Sequence, residues 1–295
     1  MSAPDGRYGI VVGVDGSPAS DAAIFWAARE AAMRNVPLTL VHMFKAFVPT
    51  FPQIPTPSEV AVWQEWQEDD GQKLVEQAFK IAEDAAPGDM KISIASEVRC
   101  SPPVPTLVEL SEEAEMIVVG CNGRGAVARV LLGSVSSGVV RGAKCPVAVI
   151  RAEASYLPHA DRAPVLVGID CSPASELALA IAFDEASRRG VELTALHAWS
   201  DVAVYRLPWL DWRSEAERSL AEYLAGRQER YSDVKVNRVI ALDHPGRALI
   251  EESESAQLVV VGRHGRGGLS GMLLGSVSNG VVHAVRTPVI VARPS

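Results

Sequence analysis

Glycine, serine and aspartate recur in this chain at fixed spacings, twice over, and together they are the residue types that can hold a polyphosphate. The run Leu131-Leu-Gly-Ser-Val-Ser-Ser-Gly-Val-Val140 returns as Leu273-Leu-Gly-Ser-Val-Ser-Asn-Gly-Val-Val282. Upstream of each copy stands Val-Val-Gly-x-x-Gly-Arg-Gly, at 118–125 and 260–267. The loops therefore read Gly120-x2-Gly123-x9-Gly133-Ser134 and Gly262-x2-Gly265-x9-Gly275-Ser276. A phosphate asks for many donors and close backbone approach, and glycine allows both because it lacks Cβ and tolerates positive φ. The chain then enters a helix at Gly133, Ser134, Val135 and Ser136, repeated as Gly275, Ser276, Val277 and Ser278. There the unpaired N–H groups and the positive end of the helix dipole can receive phosphate oxygens, and the serine hydroxyls can add bonds. The plainer alternative is that Ser134 caps a helix and the glycines only turn the chain. A cap constrains less than a strict two-and-nine spacing present in both halves, although common ancestry alone would also copy it.

A second pair of motifs precedes the first. Val12-Gly-Val-Asp15-Gly-Ser-Pro-Ala-Ser20 is echoed by Val167-Gly-Ile-Asp170-Cys-Ser-Pro-Ala-Ser175, which puts Gly13 with Asp15 and Gly168 with Asp170 at equivalent turns. A carboxylate beside a triphosphate is repulsive unless Mg2+ or a sugar hydroxyl stands between them. The alternative is that each aspartate caps the following helix alongside Ser17 or Ser172. The offset is 155 residues at the aspartates and 142 at the loops, so the second half lacks 13 residues in its middle. The Pro-rich stretch Val48 to Ser58 is the expected place, as a variable surface loop.

The two copies also differ. Cys121 and Asn122 match Arg263 and His264, so the first loop carries less positive charge and is expected to hold an anion more weakly. Arg124 with Gly125, and Arg266 with Gly267, complete the loops; these arginines either pair with a terminal phosphate or lie exposed. Asp201 follows a strand of the second half where Ala46 stands in the first, which again points to unequal sites.

The elements that must position these residues follow from hydrophobic period and breakers. In the first half, short apolar runs at Gly9 to Val14, Leu38 to Phe44, Lys91 to Val98, Met116 to Gly120 and Pro146 to Ile150 read as strands. Helical patterns open at Pro18 and span Glu59 to Ala85, Thr106 to Glu113 and Ser134 to Arg141. Strands that alternate with helices and are apolar throughout predict a parallel sheet covered on both faces. In such sheets ligands lie beyond the carboxyl ends of the strands where the strand order reverses, so Asp15, Met43 and Gly120 should converge. The 295 residues accommodate two such domains, 1–155 and 156–295, each able to bury a core without disulfides.

Several function classes drop out. Four cysteines without a CxxC pair or zinc spacing, and an N-terminus without an export signal, predict a reducing cytoplasmic setting. No apolar run approaches the ~20 residues that span a bilayer. A net charge of −8 with interspersed signs gives no field for nucleic acid. There is no Gly-x4-Gly-Lys-Ser/Thr, and the glycine cluster follows the fourth strand instead of the first, which disfavours a P-loop NTPase and a dinucleotide site. His42 and His197 sit inside apolar strands and are expected to be hydrogen-bonded core residues. His159, His244 and His283 have no metal-ligand spacing, and the tryptophans, Trp63, Trp66, Trp209 and Trp212, are expected to pack helices.

Val-Gly-Val-Asp-Gly-Ser at the first strand, Leu-Val-His at the second and Gly-x2-Gly-x9-Gly-Ser before the last helix resemble the universal stress proteins, and the match runs through the chain twice. In particular the chain is similar to the tandem-domain, ATP-binding members of mycobacteria, in which that glycine motif separates ATP binders from members without nucleotide. The resemblance implies two Rossmann-like domains of the adenine nucleotide alpha hydrolase type, each a five-stranded parallel sheet. It implies that Asp15 and Asp170 lie against ATP, that backbone around Met43 and Ala198 meets the adenine edge, and that Gly120, Gly123, Gly133, Ser134, Gly262, Gly265, Gly275 and Ser276 hold ribose and phosphates. Up to two ATP per chain are expected, with Mg2+ accompanying the phosphates and no dedicated protein metal site. The motifs supply a cradle without an evident general base, so the expectation is a regulatory or sensing module in a stress response, acting with a protein partner the sequence does not name; homodimerisation stays open. The alternative is a slow ATPase or phosphotransferase.

Overall fold

Short strands flanked by proline-started helices repeat in register through the chain. The computed structural model describes residues 8–45, 56–86, 92–123, 132–153, 162–198, 209–265 and 274–293. The first half contains β1 (Ile10–Val14), α1 (Pro18–Arg34), β2 (Leu38–Phe44), α2 (Pro57–Ala85), β3 (Ile94–Cys100), α3 (Pro103–Leu110), β4 (Met116–Gly120), α4 (Ser134–Gly142) and β5 (Val147–Ile150). The second half repeats the order with β6 (Val165–Gly168), α5 (Pro173–Arg189), β7 (Leu193–Ala198), α6 (Trp209–Arg230), β8 (Val236–Ala241), α7 (Pro245–Glu252), β9 (Leu258–Gly262), α8 (Ser276–Ala284) and β10 (Val289–Ala292). Contacts divide the chain into two compact units that change over near Ala152 and Glu153.

Within the first unit the strand order is β3-β2-β1-β4-β5, and within the second β8-β7-β6-β9-β10. Strand β1 pairs in parallel with β2 on one side and with β4 on the other, placing Val14 opposite His42 and Val12 opposite Val118. Strand β6 does the same with β7 and β9. The order therefore reverses beside β1 and beside β6, and the crevice outside their carboxyl ends is where a doubly wound sheet receives a ligand. Strands β1, β4, β6 and β9 are apolar throughout because helices cover both faces: Ile10, Val11, Val12, Val165, Leu166 and Val167 are fully buried, whereas β3 and β8, at one end of each unit's order, carry Glu97, Arg99, Asn237 and Arg238 and are partly exposed.

The helix starts show local chemistry at work. Ser17 caps α1 by accepting the Ser20 N–H, with Pro18 next, and Ser172 caps α5 through Ser175 with Pro173 next. Thr56 and Glu59 form a capping box at α2. Helix α1 ends at Asn35 (φ 55°) and α5 at Gly190 (φ 63°), both left-handed caps.

Three expectations are corrected. Helix α3 starts at Pro103, three residues before the expected Thr106, because a first turn needs no N–H donors and so admits Pro103 and Pro105. Strand β3 runs Ile94–Cys100, shifted toward the C-terminus from Lys91 to Val98. The 13-residue difference between the halves falls chiefly in a helix: α2 has 29 residues where α6 has 22. Residues 48–55 of the Pro-rich stretch lie outside the described residues, whereas Thr56 to Ser58 cap and open α2.

Candidate functional site

Strand β1 delivers Asp15 to the switch point, and the turn that follows fixes its carboxylate. Oδ1 accepts the Ser17 N–H at 2.9 Å, while the Asp15 N–H donates to Ser20 Oγ at 3.2 Å. Because Ser17 itself caps α1, the aspartate forms a local turn two residues ahead through Oδ1, with Oδ2 outside that turn. That oxygen faces the glycine loop: a Cβ on Gly123 would stand 2.5 Å from Asp15 Oδ2. The second unit repeats this arrangement. Asp170 Oδ1 accepts the Ser172 N–H at 3.0 Å, and a Cβ on Gly265 would stand 2.5 Å from Asp170 Oδ2.

The other glycines are required for the same reason of close approach. A Cβ on Gly120 would lie 2.8 Å from the Ala19 carbonyl carbon, and one on Gly262 2.8 Å from that of Ala174, so each lets the start of α1 or α5 settle on the end of β4 or β9. Gly133 donates its N–H to Cys121 O at 2.7 Å, and Gly275 to Arg263 O at 2.9 Å. These bonds tie residue 133 to residue 121, and residue 275 to residue 263, with only about 3.3 Å between a Cβ at 133 and the Asn122 Cα. The expectation that these glycines exploit positive φ is not met. Positive φ is found instead at Gly16 (φ 70°) and, at the matching place in the second unit, at Cys171 (φ 60°).

Helices α4 and α8 begin at Gly133 and Gly275 with no side-chain cap. Unlike α1, α2 and α5, they leave their first-turn N–H groups to other acceptors, and unlike α3 and α7 they have no proline to remove them. Ser134 is exposed at the entrance and Ser136 is buried. The Ser136 hydroxyl donates to Gly120 O at 2.6 Å, and Ser278 to Gly262 O at 2.5 Å. Those protons tie the helix to the strand end, so what these serines can offer an anion is main-chain N–H.

In the first unit these groups line a cleft of about 430 Å3 together with Gly13, Val14, Met43 and Val119. That volume is in the range of small-molecule sites, ~300 to 1,000 Å3. Of the predicted residues, Gly13, Asp15, Met43, Gly120, Asn122, Gly123, Gly133, Ser134, Val135 and Ser136 all border it. Cys121 does not: it is buried, with its thiol directed at Asn122 Oδ1 at 3.0 Å. In the second unit Gly168 packs on Leu249, and Ala198 ends β7 opposite Ala241. Arg124, Gly125, Asp201, Arg266 and Gly267 lie outside the described residues.

Sequence reasoning missed six lining residues, of which Val14 and Val119 were legible only as strand ends. Ser17 and Ser20 were legible only as cap and helix, and Pro103 and Leu107 only as helix core. The clue to the last two is that α3 begins directly beyond the end of β3, at the same edge of the sheet. They give the cleft an apolar wall, with Met43 and Val119, beside the polar start of α4. The described lining residues include one carboxylate and no lysine or arginine.

The matched histidines are structural. His42 Nδ1–H donates to Val14 O at 2.7 Å, and His197 Nδ1–H to Ile169 O at 2.7 Å, pinning adjacent strands where the aspartate turns begin. Beside Asp170, burial pushes the Tyr223 phenol up, and its hydroxyl lies 3.4 Å from Ser175 Oγ. Among the described residues no three His, Cys, Asp or Glu side chains cluster as metal ligands, and no helix is long and apolar enough to cross a membrane.

Comparison with known proteins agrees with this geometry. The model of the universal stress protein family matches residues 9–151 and again 162–293. A universal stress protein of Mycobacterium tuberculosis is 61% identical over 298 residues, covering 100% of both chains. A second from the same organism is 52% identical, covering 100% of this chain and 99% of its own. Among solved structures, a universal stress protein from Archaeoglobus fulgidus aligns with TM-score 0.69 at 20% identity, covering 98% of this chain and 100% of its own, a likeness of fold. With duplicated strand turns, duplicated glycine loops and the family pattern matched once in each half, the chain belongs to the universal stress protein family as a tandem of two of its domains.

Proposed function

We propose that the chain is an ATP-binding regulatory module whose two clefts each take one nucleotide. The observation that carries this reading is the pairing of an uncapped helix start with a closed loop, in which a Cβ at Gly133 would stand 3.3 Å from the Asn122 Cα and from Cys121 O. An anion set at the start of α4 meets the N–H groups of Ser134, Val135 and Ser136 and the positive end of the helix dipole. With no basic side chain among the described lining residues, main-chain amides supply the attraction. The apolar wall of Met43, Pro103, Leu107 and Val119 suits a purine ring, and Asp15 Oδ2 suits a ribose hydroxyl or a Mg2+ carried on the phosphates. The same elements recur in the second unit, through Asp170, Gly265, Gly275 and the start of α8.

A regulatory role follows if ATP binds two states of the protein with different affinity, since occupancy then shifts their populations. The test is to denature freshly purified protein and identify the released small molecules by mass spectrometry. ATP at up to two per chain is the expected result. Release of AMP or cyclic AMP instead would redirect the reading to another adenylate, and release of no nucleotide, with no binding on titration, would overturn it.

A further inference from the structure

The serines that border the first cleft differ in what becomes of their hydroxyl hydrogens. Ser17 Oγ donates to Asn122 O at 3.3 Å and Ser136 Oγ to Gly120 O at 2.6 Å, while Ser134 is exposed. Ser20 is only 2% exposed. Its main-chain N–H is spent on Ser17 Oγ at 3.2 Å, so what it brings to the cleft is its hydroxyl. That oxygen accepts the Asp15 N–H at 3.2 Å, and among the described residues its hydrogen meets no acceptor. A buried donor is costly to leave unmade, and this one lies at the edge of a cavity that can supply the acceptor. The second unit has the same Ser-Pro-Ala-Ser turn but settles the matter internally: Ser175 Oγ donates to Ser172 O at 3.0 Å, with the Tyr223 hydroxyl 3.4 Å away. The spare donor therefore belongs to the first unit and not to the motif.

We propose that Ser20 and Asp15 together recognise one ribose hydroxyl in the first cleft, Asp15 by accepting its hydrogen and Ser20 by donating to its oxygen, which makes this cleft selective for the ribonucleotide over the analogue that lacks that hydroxyl. The proposal rests on the reading that the first cleft takes ATP.

The chemistry of the lining divides the ligand into parts. Main-chain N–H groups at the start of α4 suit the phosphates, and the apolar wall of Met43, Pro103, Leu107 and Val119 suits the purine. The polar pair on the β1–α1 turn is left for the sugar. Asp15 and Ser20 are joined there through the Asp15 N–H, with Oδ1 held by the Ser17 N–H and Oδ2 directed at Gly123. A carboxylate only accepts, whereas a serine whose oxygen is already accepting has its hydrogen to give. A hydroxyl gives one hydrogen and takes another, so the pair is its complement. A phosphate oxygen would suit Ser20 but would be repelled by the carboxylate beside it.

The test is calorimetric titration of ATP, 2′-deoxy-ATP and 3′-deoxy-ATP into the full chain with Ser20 in place and into Ser20→Ala. Gly265→Val, whose Cβ would meet Asp170 Oδ2, is present throughout to confine the titration to the first cleft. With Ser20 in place, one of the two deoxy analogues should bind about tenfold more weakly than ATP. Ser20→Ala should weaken ATP and the other analogue about fivefold and leave the first analogue unchanged. A serine that only braces the turn would lower all three alike, because it also accepts the Asp15 N–H. Equal affinity for ATP and both analogues with Ser20 in place, a comparison that needs no variant of that turn, overturns the proposal. Equal losses for all three ligands in Ser20→Ala overturn it as well, and both results leave the nucleotide reading standing. Failure of the first cleft to bind ATP at all overturns the nucleotide reading and this proposal with it.

Discussion

Replacing Gly123 by alanine introduces a single methyl group at the point where the glycine loop meets the aspartate turn. The new Cβ would stand 2.5 Å from Asp15 Oδ2 and 3.7 Å from its Cγ, with no other atom of the described residues within 4 Å apart from its chain neighbours. Carbon atoms sit comfortably at ~3.5 Å from such neighbours, so the carboxylate must retreat by roughly 1 Å while the loop backbone stays in place. The same motion pulls Oδ1 from the Ser17 N–H, now 2.9 Å away. Losing a bond of this kind costs about 1 kcal/mol, which for a unit of this size lowers Tm by roughly 4 °C. For the ligand, a displaced carboxylate forfeits its contact with a ribose hydroxyl or Mg2+, and each 1.4 kcal/mol lost is a factor of about ten in affinity. Gly123→Ala should therefore reduce ATP affinity at the first cleft about tenfold and leave the second unchanged, with Gly265→Ala showing the mirror pattern. Site-resolved calorimetry with thermal denaturation in parallel measures both effects. Wild-type affinity in both single variants would refute the argument that Asp15 and Asp170 act at the cleft.

Further outcomes follow from particular contacts. Gly226 lies in α6, and a Cβ added there would meet no atom of the described residues within 4 Å, so Gly226→Ala should raise stability by about 1 kcal/mol in denaturant titration without altering nucleotide content; a loss of stability would contradict the open site. Cys171 holds φ 60° where Gly16 stands in the first unit, so Cys171→Gly should relieve about 1 kcal/mol of backbone strain, and a lower Tm would show that the thiol matters more than the turn. Glu30 is fully buried on α1 against Arg34, as Glu185 is on α5 against Arg189. Arg34→Met should destabilise by about 3 kcal/mol through the carboxylate left behind, and adding Glu30→Met should recover most of it; additive losses would refute the buried-pair account.

The architecture was legible because strand and helix periods, proline starts and the internal repeat all agreed. Asp15, Met43 and Gly120 converged as expected from their positions at strand ends beside the reversal of strand order. What escaped were features set by tertiary contact. The demand for glycine at 120, 123 and 133 is a demand for proximity to Ala19, Asp15 and Asn122, and positive φ belongs to Gly16 instead. Ser136 reads as a phosphate ligand in sequence, yet its hydroxyl is turned to Gly120 O by the approach of α4 to β4. Pro103 and Leu107 carry no polar signature, so their place in the cleft wall could be found only once α3 was docked against β1, where Leu107 approaches Gly13. The shortening of α6 relative to α2 was hidden because a helix can lose two turns on an exposed face without changing its apolar period.

The central claim is that main-chain amides at two uncapped helix starts hold the anionic part of a nucleotide. A crystal structure of the chain grown with ATP and Mg2+ tests it most directly. Phosphate oxygens should lie ~3 Å from the N–H groups of Ser134 to Ser136 and of Ser276 to Ser278, with Asp15 and Asp170 turned toward ribose or metal. Nucleotide bound elsewhere, or phosphates held by side chains alone while those amides face water, would contradict it.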